Sequence, residues 1–79
     1  MTEKEIVLLI HVQMYDITEY AKELITHNPI IEDSWFEFND EIDVNIYLDI
    51  DNNPQATAYP VVDGKTISTH GIKLLIDTM

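Results

Sequence analysis

Eight carboxylates crowd into the twenty residues from Glu32 to Asp51, with no lysine or arginine among them. Six of these acids, Glu37, Asp40, Glu41, Asp43, Asp49 and Asp51, lie around two large rings, Trp35 and Tyr47. Carboxylates at this density can exchange protons, hold a hard cation, or offer a row of negative charge to a basic surface. Proton exchange needs a pair whose surroundings push their pKa values apart, and nothing in the pattern marks such a pair. The run Asp49-Ile50-Asp51-Asn52-Asn53 opens like a calcium loop. That loop needs glycine at its sixth position and glutamate at its twelfth. Pro54 and Pro60 stand there instead, so the pattern fails.

Other chemistry is thinly supplied. His11, His27 and His70 are too far apart to form a metal signature, and there is no cysteine to give thiolate ligands or disulfides. His11 falls in an apolar run and reads as a core or interfacial histidine, while the other two lie near element ends. Ser34 and Ser68 are the only serines, and no nucleophile elbow, phosphate-binding loop or dinucleotide fingerprint occurs. The expectation is a chain that is not an enzyme and that takes no cofactor or metal.

The elements that must carry the acids can be read from periodicity. Ile42, Val44, Ile46, Leu48 and Ile50 alternate with Asp43, Asn45, Tyr47, Asp49 and Asp51, the period of a half-buried strand. Phe36 and Phe38 alternate with Trp35, Glu37 and Asn39 in the same way. Together they predict a β-hairpin with a greasy face and an acidic face. Both greasy sets are even-numbered, so facing them together demands an odd loop or a bulge. Taking Asn39-Asp40-Glu41 as the loop sets Phe38 opposite Ile42, Phe36 opposite Val44, and Glu37 opposite Asp43. Like charges directly opposite cost a few tenths to ~1 kcal/mol. The repulsion hints that the negative field is wanted.

Before this hairpin, Glu5 to Tyr15 is nearly continuous in apolar and β-branched residues and predicts a central strand covered on both faces. Asp16 and Glu19 have capping-box spacing, and Ile17, Tyr20, Ala21, Leu24 and Ile25 then recur on one helical face until Asn28-Pro29. They predict a helix over residues 17–27. Beyond the hairpin, Gln55 to Val62 reads as a strand, with Pro60 arguing for an edge position or a bulge. Asp63-Gly64 is a strong hairpin signal leading into Lys65 to Thr69. For Ile72 to Met79 a short carboxyl-terminal helix, capped by Ser68 or Thr69, is preferred to a sixth strand. The expected fold is a single α+β domain over residues 1–79, in the order β-α-β-β-β-β. It has one mostly antiparallel sheet of about five strands and a helix on one face.

Composition narrows the partners. Fifteen acids face four lysines and no arginine, for a net charge of −11 in seventy-nine residues. Between Lys22 and Lys65 ten acids accumulate without a basic residue. Direct binding to nucleic acid rests on lysine and arginine and is disfavoured, as is binding to anionic membranes. No apolar run is long enough to cross a membrane, and the acidic start Met-Thr-Glu-Lys-Glu is unlike a secretory signal. The expected location is the cytoplasm. The expected partner is a basic protein surface.

Two resemblances bear on this. Residues 49–54 and 60–65 faintly resemble the last strands of the thioredoxin fold, without the two cysteines that carry its chemistry. Small, acidic, arginine-poor, cysteine-free chains of this size also resemble phage-type DNA mimics. The uracil-DNA glycosylase inhibitors are the most similar in architecture, since they too follow strand and helix with successive strands. The hallmark Glu-Ser-Ile of that family is absent; the chain has Glu32-Asp33-Ser34-Trp35, and the likeness is to the class. It implies an inhibitor of a repair, restriction or CRISPR factor. Such an inhibitor would occupy the basic nucleic-acid groove, with the six acids imitating phosphates and Trp35 and Tyr47 as anchors. Two alternatives stay open: a small homo-oligomeric accessory domain, such as an edge-strand homodimer, whose acidity serves solubility, and a cation-dependent module.

Overall fold

The computed structural model describes residues 1–30 and 32–76 and has an α+β fold. The order is α1 (Glu3–Val12), α2 (Met14–His27), β1 (Ser34–Asn39), β2 (Ile42–Leu48), β3 (Pro54–Val62), β4 (Lys65–Thr66) and β5 (Ile72–Leu74), with a 3₁₀ turn at Ser68–His70. Every strand pairing is antiparallel.

The apolar run expected as the central strand is instead helix α1. Thr2 starts it: its hydroxyl accepts from Glu5 N at 3.2 Å, and Thr2 N donates to Glu5 Oε1 at 2.9 Å. This capping box satisfies two amides that a helix start leaves open. The reason the run need not be a strand lies in its burial. Only Ile6 and Ile10 are buried, one turn apart, while Leu8 and Val12 face solvent. Near-continuous hydrophobicity therefore does not mean two covered faces. His11, expected in the core or at an interface, is exposed on this helix.

Helix α2 begins at Met14, earlier than the expected residue 17. The hydrogen-bond ladder runs through the junction, from Gln13 N to Leu9 O and from Ile17 N to Gln13 O. With those amides already paired, Asp16 has no helix start to cap, and it lies within the first turn. The end falls where Asn28-Pro29 predicts it. Asn28 N and Asn28 Nδ2 each donate to Leu24 O at 2.9 Å.

The sheet has the spatial order β1-β2-β3, and the far side of β3 is shared by β5 and β4. Phe36 faces Val44 and Glu37 faces Asp43, as the alternation predicts. The turn differs from the expected three-residue loop. Asn39 pairs with Ile42, a bulge at Phe38 absorbs the odd residue, and only Asp40 and Glu41 turn the chain. Pro60 is not on an edge strand, because β3 is paired on both sides. It sits in the gap between β5, which pairs along Ala56–Ala58, and β4, which pairs along Val61–Val62. Pro60 O accepts from Ile67 N at 2.9 Å, and Ile67 O, which a proline cannot serve, accepts from His70 N at 3.3 Å.

Asp63 and Gly64 both have positive φ, 51° and 76°, the backbone of a tight hairpin turn. The helix preferred for the carboxyl-terminal stretch does not form at Ile72–Leu74. Those residues pair with Ala56–Ala58 as β5, and residues 77–79 lie outside the described residues. The core lies between the helices and the even-numbered sheet face: Ile6, Ile10, Ile17 and Ala21 against Ile42, Val44, Ile46, Ala56, Ala58 and Leu74. No helix among the described residues is long and apolar enough to cross a membrane.

Candidate protein-binding face

With the even-numbered side chains packed on the helices, the odd-numbered ones occupy the other side of the sheet. Three rows result from the register: Trp35, Asn45, Thr57 and Lys73; Glu37, Asp43 and Tyr59; Tyr47 and Gln55. Asn45 and Thr57 are buried beneath their larger neighbours. Asn45 Nδ2 donates to Ser34 O at 3.2 Å, which fixes the start of β1.

Trp35 is the most prominent feature of this face. It remains 52% exposed although its ring stacks at 5.3 Å and 43° on Tyr59. The ring that accompanies it is therefore Tyr59 and not Tyr47, which lies half-buried beside Gln55 on the neighbouring row. Gly71 holds Tyr59 in turn. A Cβ at Gly71 would lie 2.5 Å from Tyr59 Cε1 and 2.9 Å from Thr57 Cγ2, so only glycine lets the chain pass this close. The signal for Tyr59 was present in the odd positions of β3. Gln55, Thr57, Tyr59 and Val61 alternate opposite Ala56, Ala58 and Pro60. Gly71 carried no comparable signal.

The six acids do not form one row. Glu37 and Asp43 lie side by side in the middle, with Glu37 exposed and Asp43 partly buried. Thr66 Oγ1 donates to Asp43 Oδ2 at 2.8 Å, so β4 supplies some relief for the like-charge pair. Asp40 and Glu41 sit in the turn at one end of the hairpin. There they line a depression of about 380 Å³ with Asp63, Met1, Ile6, Val61, Val62 and Gly64. Glu41 Oε2 is buried and has no hydrogen-bond partner. Asp49 and Asp51 belong to the turn at the opposite end of β2, about 20 Å away at ~3.3 Å per strand residue.

Asp49 serves the turn itself. Its Oδ1 accepts from Asp51 N at 2.8 Å and from Asn53 N at 2.9 Å, and its Oδ2 accepts from Gln55 Nε2 at 3.0 Å. The Asn53 amide is the main reason its carboxyl titrates below the usual aspartate range. The Asp51 amide, Gln55 and the charge of Lys73 act the same way, and partial desolvation opposes them. This residue organises a loop as much as it presents a charge. Asp51 beside it is exposed.

The salt-bridge contacts among the described residues all involve helix carboxylates: Lys22 with Glu19, and two histidines, charged partners only when protonated, His27 with Glu23 and His70 with Glu3. No such pair takes up an acid of the 32–51 stretch. No three His, Cys, Asp or Glu side chains of the described residues are grouped to hold a metal ion. What the face offers is a tilted aromatic pair next to two central carboxylates, with further acids at either end. Comparison with family models finds no match, and no characterised protein or solved structure is found to be similar to this chain.

Proposed function

We propose that this chain is a non-enzymatic inhibitor that binds the basic nucleic-acid groove of a partner protein, its carboxylates standing in for DNA phosphates. The observation that carries the reading is Trp35: half exposed on a sheet face that neither helix covers, braced by Tyr59, and next to Glu37 and Asp43. Large rings at the centre of an interface supply much of its affinity. The chain's net charge of −11 speeds encounter with a basic surface. The class of phage-type DNA mimics, including inhibitors of repair, restriction or CRISPR factors, fits this combination. In that setting the chain acts in the host cytoplasm.

Immobilised chain exposed to a bacterial lysate at low salt tests the reading. Retained proteins should elute with heparin, and the purified partner should lose its grip on duplex DNA when the free chain is added. The double change Glu37→Gln with Trp35→Ala should abolish both effects while the far-ultraviolet spectrum stays unchanged. A retained partner that binds DNA equally well in the presence of the chain would overturn the proposal.

A further inference from the structure

The charge on this molecule is unevenly spread, and the solvent side of α1 and the start of α2 carry an apolar stripe. Met1, Leu8, Val12 and Tyr15 are 65%, 64%, 74% and 75% exposed, far more than core-facing side chains of the same helices. Their spacing, together with Glu5 between Met1 and Leu8, is alternately four and three residues, a helix-packing seam that starts just before the α1 cap and runs on into α2. The stripe points away from Ile6 and Ile10, which hold α1 to the sheet. Leu75, 88% exposed, extends it where a groove of about 310 Å³ runs between Tyr15, Met14, Lys22 and Lys73. A second shallow groove, of about 240 Å³, is lined by Met1, Glu5, Leu8, Leu9 and Val12.

We infer that this stripe is the contact between two copies of the chain, packed helix to helix about an axis near Leu8. The choice of a second copy rests on charge. Two molecules of −11 each repel wherever their acids meet, but Glu3 and Glu5 are the only acids from Met1 to Tyr15, and Lys4 and His11 lie among them. The adjoining groove is bordered by Lys22, Lys73 and one acid, Glu19, whose charge is met by Lys22 at 3.2 Å. This is therefore the side on which like copies can approach, and a basic partner finds little there to attract it. The exposed parts of Met1, Leu8, Val12, Tyr15 and Leu75 amount to several hundred Å² per copy, on the scale of the ~800 Å² per partner of a stable interface. Such a dimer leaves both Trp35 faces free and presents two of them at once. The inference does not depend on what those faces bind.

Sedimentation equilibrium at several protein concentrations, in 0.05 M and 0.5 M NaCl, tests it. The expected mass is that of two copies, with tighter association at the higher salt as repulsion is screened. Leu8→Glu should give the mass of one copy with an unchanged helical spectrum. A one-copy mass at several hundred micromolar in high salt, or a two-copy mass that survives Leu8→Glu, would overturn the inference. Because the chain has no cysteine, a second variant decides the matter if Leu8→Glu does not fold. Under mild oxidant Leu8→Cys should form a disulfide-linked pair at least tenfold faster than the control Ile50→Cys, which is 98% exposed on the far loop. Equal rates would refute the contact.

Discussion

At the scale of single residues, the aromatic pair of the sheet face depends on a glycine that carries no chemistry. Gly71 has an ordinary backbone, with φ of −68°, so its requirement is steric and not conformational. Gly71→Ala pushes a methyl group into the Tyr59 ring and should destabilise the fold by about 1–3 kcal/mol, the usual cost of overpacking. Because Tyr59 braces Trp35, the same change should shift the emission of this sole tryptophan. Denaturant unfolding followed by fluorescence reads both effects. Asp49 gives a second residue-scale expectation. Its folded pKa lies below the unfolded one, so its contribution is present above the unfolded pKa and is lost as pH falls through the folded pKa. Acid also neutralises the other carboxylates and relieves repulsion, which acts in the opposite sense. Comparing Asp49→Asn with the parent separates the two. The gap in thermal midpoint should be widest at neutral pH and close as pH drops below the aspartate range, and a gap independent of pH would show that the turn does not need the charge.

At the scale of elements, the start of α1 decides the architecture. Thr2→Ala removes a hydroxyl acceptor at the N-cap and should cost about 1 kcal/mol, measurable as a lower urea midpoint with an unchanged slope. That cap also shows what could be read from the residues alone. The spacing Thr2 to Glu5 signals a helix start as plainly as Asp16 to Glu19 does, whereas the expectation of a strand rests on the β-branched run alone. Alternation in 34–48 predicts the hairpin and the opposition of Phe36 with Val44 and of Glu37 with Asp43, because a period of two admits only one face toward the core. It does not predict the turn end, where Ile42 pairs with Asn39 and not with Phe38. The two-residue turn with its bulge at Phe38 was harder to read, since a bulge and an odd loop satisfy the same alternation. Proline at position 60 is ambiguous for a related reason. It marks a missing N–H donor, which an edge strand tolerates, as does a gap between β5 and β4 on the same side of β3. The pairing of Trp35 with Tyr59 needed the three-strand register, which no local pattern contains.

At the scale of the whole molecule, charge and size set one another's effect. The chain extends 35 × 21 × 19 Å. At 0.01 M salt the Debye length is about 30 Å, so nearly every acid feels every other; at 0.15 M it is about 8 Å, and each feels only its neighbours. A net charge of −11 within that volume should make the folded state less stable at low salt, because unfolding lets the acids separate. The ion pairs of the helices are weakened by salt, but they are exposed and few, and pairs of that kind contribute ~0–1 kcal/mol each. Repulsion therefore wins, and the thermal midpoint should rise between 0.01 M and 0.15 M NaCl. Binding to a basic partner should respond in the opposite direction, since salt screens the attraction across the interface. Leu8→Glu provides the background for the stability measurement, because a helix-to-helix contact would itself strengthen with salt and mimic the rise. A midpoint in that variant that stays flat or falls over the same range would mean that the acids are spaced too widely to repel, and the carboxylates of the sheet face and its two end turns would then be too weak to act as a substitute for phosphates.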